Sequence, residues 1–155
     1  MKTYSGSMAI SAPIEVAWAF LVDPHHIAAS MPDVQEYQVT DETHFTAKVK
    51  VGIGPVRAVL DLTASVEPLS PPREARLQVR GGGMGSGLEL ISTIVLDPGD
   101  GDEPSTQITW TAQVGVSGPL ATLGGRLLDS QVKKTTEQVF ANIQQGLAAQ
   151  AAVDP

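Results

Sequence analysis

The sequence feature that most constrains the fold is a long segment of helical periodicity near the end of the chain, from Pro119 to about Leu147. Its apolar residues recur mainly at spacings of four and seven, and they are Leu128, Val132, Val139, Phe140, Ile143 and Leu147. This pattern predicts an amphipathic helix of about seven turns. Because such a helix is stabilised mainly by packing its apolar face on other elements, the rest of the chain must supply a matching apolar surface.

The first turns of the predicted helix are apolar on a different side. Leu120, Leu123 and Leu127 lie roughly opposite the later stripe when residues are wound at about 100° each, with Gly124-Gly125 between them. Two interpretations remain open. Either the helix bends at the glycine pair and the leucines are buried under a neighbouring loop, or the leucines form an exposed apolar rim. In the second interpretation, Leu120, Leu123 and Leu127 contact a partner protein or a membrane.

Most of the preceding chain alternates between apolar and polar residues with the period of a β-strand. The first run covers residues 2–11, and six further runs cover residues 34–40, 44–53, 56–67, 75–80, 88–96 and 106–116. Alternation is clearest in residues 56–67, where Val59 is the one apolar residue on the polar side. Short turns separate the runs, which favours an antiparallel sheet with one dry face.

Residues 13–30 are the exception, because their pattern predicts two short helices. Pro13 and Pro24 each stand in the first turn of a helix, where the missing N–H leaves no bond unmade, and Asp23 is a typical cap residue. Pro32 then ends the second helix. The predicted order is therefore one strand, two short helices, six strands and one long helix.

A strongly curved sheet wrapped on a single helix leaves more space than its small side chains fill, so we predict an α+β fold with an apolar cavity. The residues expected to bind a hydrophobic ligand there are Phe20, Tyr37, Val49, Leu60, Leu62, Met84, Leu90, Trp110, Leu128 and Val132. The 155 residues should form one domain, which we place at residues 1–150, with a short disordered tail at 151–155.

Charge and composition exclude several functions. The formal net charge is −7 and the ten basic residues are scattered, whereas nucleic-acid binding needs clustered Lys and Arg. No cysteine is present, so disulfides, thiolate catalysis and zinc–sulfur sites are excluded. No apolar run approaches the roughly 18 residues that span a bilayer, and the first residues lack the layout of a secretion signal. We therefore expect a cytoplasmic protein.

Some segments invite a chemical interpretation, but the pattern favours a structural one. The glycines of residues 81–87 lack the spacing of a nucleotide-binding loop and lie between strands, so they indicate a sharp bend or a close backbone approach. The acidic loop 97–104 lacks the calcium-binding pattern, and His25 and His26 lack a helical partner, so we predict no metal site. If the chain is an enzyme, Glu89 is the best candidate for a catalytic acid.

Several motifs, in their order and spacing, match a known pattern: Pro13–Trp18, Leu21–Pro24, Met31-Pro32, Val49–Val56, Gly81–Gly87 and Ser117–Asp129. Together they resemble the CoxG family of carbon monoxide dehydrogenase proteins, across nearly the whole chain. That family belongs to the START and birch-pollen-allergen (SRPBCC) superfamily. The resemblance implies the helix-grip fold, in which a curved antiparallel sheet of seven strands, two short helices and a long C-terminal helix enclose an apolar cavity.

The resemblance also implies a function, that of a non-catalytic accessory protein for a molybdenum hydroxylase of the carbon monoxide dehydrogenase type. It implies a hydrophobic ligand, with a quinone or a lipid as candidates and no covalently attached cofactor. It further implies a link to an electron acceptor or to the inner face of the membrane, where we expect transient, peripheral contact. Two alternatives stay open: a small cyclase or hydrolase that uses the same cavity, and an assembly or targeting factor whose cavity is incidental.

Overall fold

The computed structural model describes residues 1–153 and the side chains of residues 1–150. The strands within that range are β1 (Lys2–Ile10), β2 (Val34–Val39), β3 (His44–Ile53), β4 (Val56–Ser70), β5 (Glu74–Gly83), β6 (Ser86–Pro98) and β7 (Thr106–Ser117). They form one antiparallel sheet in the order β1-β7-β6-β5-β4-β3-β2, so every consecutive pair from β2 to β7 lies side by side. The predicted curved sheet of seven antiparallel strands is confirmed.

Two short helices, α1 (Ile14–Leu21) and α2 (Pro24–Ser30), connect β1 to β2 as the sequence predicts. Asp23 caps α2, because its side chain accepts a hydrogen bond of 2.9 Å from the backbone N–H of His25. The side chain of Asn142, on the C-terminal helix, donates a 3.0 Å hydrogen bond to the carbonyl of Ser30. The end of α2 is therefore tied to that long helix.

The C-terminal helix differs from the prediction in its first turns. Residues Gly118–Leu123 form a 3-10 turn, and α3 (Gly125–Val153) follows it. Gly124 separates the two with a φ of +83°, a left-handed conformation that glycine adopts without steric cost. The predicted continuous helix is therefore wrong at its start, and the bend at the glycine pair is confirmed. The predicted tail at 151–155 begins inside α3, and residues 154–155 lie outside the described residues.

The glycine-rich stretch belongs to the sheet. β5 and β6 meet at a two-residue turn, Met84-Gly85, and the glycines before it are paired with neighbouring strands. A Cβ atom at Gly81 would lie 2.0 Å from the carbonyl oxygen of Asp61 on β4, so a side chain there would force the two strands apart. The close backbone approach that the sequence indicates is confirmed.

Buried apolar side chains form two clusters. The first lies under β3, β4 and β5 and consists of Ala28, Phe45, Ala47, Ile53, Ala58, Leu60, Leu62, Ala64, Val66, Val79 and Leu120. The second joins α1 and the C-terminal half of α3 to the sheet and consists of Ile10, Ala12, Ala17, Phe20, Leu21, Leu96, Ile108, Ile143 and Leu147. β4 shows the predicted alternation, with Val59 exposed on its polar side. The apolar stripe of α3 is therefore buried mainly in its C-terminal half.

Candidate functional site

The N-terminal half of α3 is less buried than its apolar sequence leads one to expect. Among the described side chains, Leu128 and Val132 pack in neither apolar cluster and are half-buried, whereas Ile143 and Leu147 on the same stripe are buried. Side chains in a filled core lose nearly all contact with solvent, because protein interiors are close-packed. The half-burial of Leu128 and Val132 therefore indicates unfilled space beside them.

The inner face of the sheet is half-buried in the same way. Cross-strand register places Tyr4, Ser92 and Leu77 in one inward row, and all three are half-buried. Leu90 is the half-buried inward residue of the adjacent row. We call the region between α3 and the sheet the helix–sheet space, and its bordering residues are Tyr4, Leu90, Ser92, Trp110, Leu128 and Val132.

Trp110 closes one side of the helix–sheet space. It pairs with Gly6 on β1, and a Cβ atom at Gly6 would lie 2.8 Å from the indole, so the ring covers the glycine backbone. The ring of Phe140 on α3 lies 6.4 Å from that of Trp110, in a tilted aromatic contact. Phe140 also packs against the second apolar cluster, so this aromatic pair separates the filled part of the interior from the unfilled part.

A polar cluster borders the same space at the start of α3. Tyr4 donates a 2.7 Å hydrogen bond to Asp129 Oδ1, and Lys2 forms an ion pair with the same carboxylate. Partial burial, and then the bond to Asp129, raise the pKa of Tyr4 to about 12, whereas hydrogen bonds from Lys2 and Tyr4 lower the pKa of Asp129. At neutral pH the phenol is therefore protonated and the carboxylate ionised. The cluster ties β1 to α3.

Sequence reasoning missed this polar cluster. The alternation of the first strand does place Tyr4 on the inner face, and that was the one signal available. Asp129 lies 125 residues away from Tyr4 in the sequence. No local pattern connects the two residues, so the contact emerges only from the folded chain.

Four of the ten predicted ligand-binding residues border the helix–sheet space, namely Leu90, Trp110, Leu128 and Val132. They come from β6, β7 and α3, which are far apart in the sequence and adjacent in the fold. Their contact with a ligand stays a prediction.

Four other predicted ligand-binding residues lie in or against the packed clusters. Leu60 and Leu62 are 1% and 4% exposed within the first cluster, and Val49 packs against it. Phe20 is buried in the second cluster, where its ring stacks on His26 at a centroid distance of 4.2 Å. Other side chains already surround these residues, so they support the core instead of bordering the helix–sheet space.

Two predicted ligand-binding residues are wrong as cavity lining, because both are exposed. Tyr37 is 41% exposed, since it lies on β2, an edge strand with a neighbouring strand on one side only. Met84 is 71% exposed, since it forms the tip of the hairpin between β5 and β6. The alternation that guided both assignments holds within a strand and not in a turn or at the edge of a sheet.

The predicted partner or membrane contacts also divide. Leu120 is 4% exposed and belongs to the first cluster, so its assignment to an exposed rim is wrong. The 3-10 turn places it in the core, where the hydroxyl of Ser86 accepts a 3.3 Å hydrogen bond from its backbone N–H. Leu123 is half-buried against the same cluster. Leu127 is 43% exposed and alone among the three offers a contact surface.

Two shallow hollows of about 260 and 320 Å³ lie on the outer face of the sheet. Glu89 borders the first hollow and is exposed opposite Arg80 on the neighbouring strand. The sequence-based role of Glu89 as a catalytic acid required it to face inward, and the structure contradicts that orientation. Both hollows are open and bordered by polar side chains, so neither has the enclosed apolar lining of a hydrophobic ligand site.

Within the part of the chain that the structure describes, no three His, Asp or Glu side chains lie close enough together to hold a metal ion. The adjacent histidines have separate surroundings, since His26 stacks on Phe20 and His25 lies edge-on to Tyr37. Of the helices described, none has both the length and the apolar composition needed to cross a membrane.

Comparison with known sequences gives one family. The sequence profile of the carbon monoxide dehydrogenase protein CoxG matches residues 6–148. This range contains the helix–sheet space except for Tyr4. No curated protein sequence matches the chain significantly.

Solved structures agree on the fold. A conserved protein from Geobacillus kaustophilus is 27% identical, with a TM-score of 0.85 over 96% of each chain. A START superfamily protein from Mycobacterium smegmatis is 12% identical, with a TM-score of 0.71 over 96% of this chain and 98% of the other. An aromatase/cyclase from Streptomyces is 12% identical, with a TM-score of 0.66 over 97% and 95%. The last two show a shared fold alone.

Proposed function

Because the chain belongs to the CoxG family of carbon monoxide dehydrogenase proteins, we propose that it binds a hydrophobic small molecule in the helix–sheet space and serves a molybdenum hydroxylase as a non-catalytic accessory protein. The observation that carries this proposal is the half-burial of Leu128 and Val132 opposite a half-buried inner sheet face. A ligand that covers these apolar side chains removes them from water, which favours binding by about 25 cal/mol per Å².

The border of the space favours a ligand with an apolar body and one polar end. Leu90, Leu128 and Val132 present apolar surface, whereas Tyr4 and Lys2 provide hydrogen-bond donors at the start of α3. Quinones and lipids both have this form, and a quinone carbonyl accepts hydrogen bonds from such donors. We favour a quinone, because a bound quinone also gives the hydroxylase a route to an electron acceptor.

The proposed ligand class bears on where the protein works. Quinones and long-chain lipids partition into bilayers, so a protein that exchanges them must meet a membrane surface. We propose a cytoplasmic protein that makes transient, peripheral contact with the inner face of the membrane.

Quenching of Trp110 fluorescence tests the binding proposal. The chain contains two tryptophans, so Trp18→Phe leaves Trp110 as the one indole, at the border of the helix–sheet space. Titration with a short-chain ubiquinone should quench this fluorescence with a saturable curve. In the same background, Val132→Phe should weaken the apparent affinity about tenfold or more, because the added ring occupies the space.

Lys133→Phe is the matched control for that experiment. It adds the same ring to the neighbouring residue, which is exposed on α3, and should leave the apparent affinity within about twofold. Linear, non-saturating quenching of the Trp110 protein, or equal affinities for the two phenylalanine variants, would contradict binding in the helix–sheet space.

A second candidate function, a small enzyme that uses the same space, is favoured by one observation. Tyr4 and Asp129 form a hydrogen-bonded pair of titratable groups at the border. However, the pKa of Tyr4 is raised to about 12 and that of Asp129 is lowered, so both move away from neutral pH. General acid–base catalysis works best with a pKa near the operating pH. The pair is therefore better suited to holding a ligand than to moving its protons.

A further inference from the structure

Exposed apolar side chains concentrate at one end of the molecule. Two hairpin turns, the start of β1 and the connection from β7 to α3 form this end, which comprises residues 1–5, 50–60, 80–90 and 114–130. Six large hydrophobic side chains are exposed among the described residues. The four that lie at this end are Met1, Val59, Met84 and Leu127.

The 3-10 turn and the start of α3 join the two hairpins into one surface. Gly54, at the tip of the β3–β4 hairpin, is so placed that a Cβ atom would lie 3.5 Å from Leu127 Cδ1. A Cβ atom at Gly85, at the tip of the β5–β6 hairpin, would likewise lie 3.9 Å from Pro119 Cδ. We call the resulting patch the hairpin-end surface, and its members are Val59, Met84, Pro119 and Leu127 with the cations Lys50, Arg57 and Arg126.

Met84 is not the residue that its turn requires. It has a φ of +53° and Gly85 a φ of +84°, a combination in which Asn is the preferred first residue of a two-residue hairpin turn. Methionine in this left-handed conformation is strained. Its side chain is 71% exposed and so adds little packing to the fold. A residue that neither the turn nor the core requires is accounted for by contact with another molecule.

Charge is divided unevenly between this end and the rest of the chain. Five of the ten basic residues lie here, and they are Lys2, Lys50, Arg57, Arg80 and Arg126. Of the seventeen acidic residues, the two that lie here are Glu89 and Asp129. The remaining surface is therefore strongly acidic, although the end itself is basic.

Three of these cations are free to meet a partner. Lys2 is paired with Asp129, and Arg80 lies opposite Glu89 on the adjacent strand. Lys50, Arg57 and Arg126 are exposed and make no ion pair with any other described residue. Lys50 is the cross-strand neighbour of Val59, and Arg126 precedes Leu127, so the cations flank the apolar side chains.

We propose that the hairpin-end surface docks on the partner hydroxylase, at an apolar patch with an acidic rim. Charge complementarity selects this occupant, because an acidic patch attracts the three cations and repels the acidic remainder of the chain, which orients the approach. Met84 and Leu127 then fill the apolar centre, where most binding energy arises. The inference takes the identity of the partner from the proposed function, but its residues do not border the helix–sheet space.

Surface plasmon resonance with the hydroxylase purified from the organism that encodes the chain tests the proposal. The wild-type chain should bind with an affinity that falls as salt is raised. Met84→Asn should weaken binding about tenfold while leaving the melting temperature unchanged or higher, because Asn suits the turn. Arg126→Glu should weaken binding about tenfold and reduce the dependence of the association rate on salt.

Lys133→Glu is the control for Arg126→Glu, since both residues are exposed cations on α3 and Lys133 lies outside the hairpin-end surface. Its affinity for the hydroxylase should stay within about threefold of the wild type. The Trp110 quenching titration, repeated on Met84→Asn and Arg126→Glu, should give the wild-type ubiquinone affinity. Loss of ubiquinone binding with docking intact would remove the ligand proposal and leave the docking surface standing.

Three outcomes would overturn the docking proposal. The first is the absence of wild-type binding to the hydroxylase, whatever the ubiquinone titration shows. The second is equal weakening by Arg126→Glu and Lys133→Glu, together with wild-type affinity for Met84→Asn. The third is a transfer of the same sensitivity to another occupant: to vesicles of phosphatidylcholine and phosphatidylglycerol, or to a second copy of this chain in sedimentation equilibrium.

Discussion

Tyr4 and Asp129 join the first strand to the last helix through groups whose proton equilibria depend on each other. The pKa of Tyr4 rises from 10.0 to about 12, so its contribution to stability is complete below pH 10 and is lost as the pH rises toward 12. The pKa of Asp129 falls below 3.8, so its contribution is present above that pH and is lost as the pH falls further. Between these limits the contact holds β1 against α3.

Asp129→Asn should lower the pKa of Tyr4 from about 12 toward its ordinary value of 10.0. Part of the rise should remain, because partial burial of the phenol is its largest cause. The measurement is ultraviolet absorbance of the phenolate against pH in a Tyr37→Phe background, which leaves Tyr4 as the one tyrosine. Glu137→Gln, an exposed change on the same helix, should leave the titration unchanged. A Tyr4 pKa that ignores Asp129→Asn would show that the two side chains do not interact in solution.

Single residues were the least predictable level from the sequence. Alternation gave the correct face for Leu90 and Trp110, because it depends only on the period of a strand. It failed for Met84, since a turn residue has no face, and for Tyr37, since its strand lies at the edge of the sheet. Contacts such as that between Tyr4 and Asp129 depend on how distant elements pack.

Among the elements, the join between the 3-10 turn and α3 decides what the last helix presents to the sheet. Gly124 turns the chain there, so Leu120 enters the first apolar cluster while Leu128 and Val132 border the helix–sheet space. A helix continuous from Pro119 would place these residues on opposite sides. The conformation of one glycine therefore separates a core-filling turn from a ligand-facing helix.

Gly124→Ala should lower the free energy of unfolding by about 1 kcal/mol, because alanine is strained at a φ of +83°. Space is not limiting, since a Cβ atom at Gly124 meets nothing within 4 Å. Gly101 is the matched control: its Cβ position is equally open, and it is not among the glycines with positive φ. Urea denaturation should therefore show a smaller change for Gly101→Ala, within about 0.5 kcal/mol. Equal losses for the two variants would mean that backbone conformation at Gly124 does not stabilise the join.

Elements were more predictable than residues. The two short helices, the seven strands and the long final helix were all identified, because each has a periodicity and boundary residues of its own. The error at the start of the last helix has a physical cause. Residues 118–123 carry helix-forming and helix-starting residues, but the 3-10 form buries Leu120, and that tertiary contact lies outside what a local pattern records.

On the scale of the whole molecule, two packed clusters frame a less filled region. The first cluster lies under the middle of the sheet and the second lies under the C-terminal half of α3, with Trp110 and Phe140 between the second cluster and the helix–sheet space. The sequence predicts the architecture, since the order of elements and the apolar stripes leave few topologies. It does not predict which apolar residues fill the core and which border the space, because that depends on how closely α3 approaches each strand.

The central claim is that the helix–sheet space holds an apolar small molecule, and native mass spectrometry of the protein purified without detergent from its own organism tests this most directly. We predict a one-to-one complex whose extra mass is released by organic solvent as a quinone or lipid. The extra mass should be lost in Val132→Phe and kept in Lys133→Phe. A wild-type protein that appears only as the bare chain, and stays so after incubation with quinones and lipids, would contradict the claim.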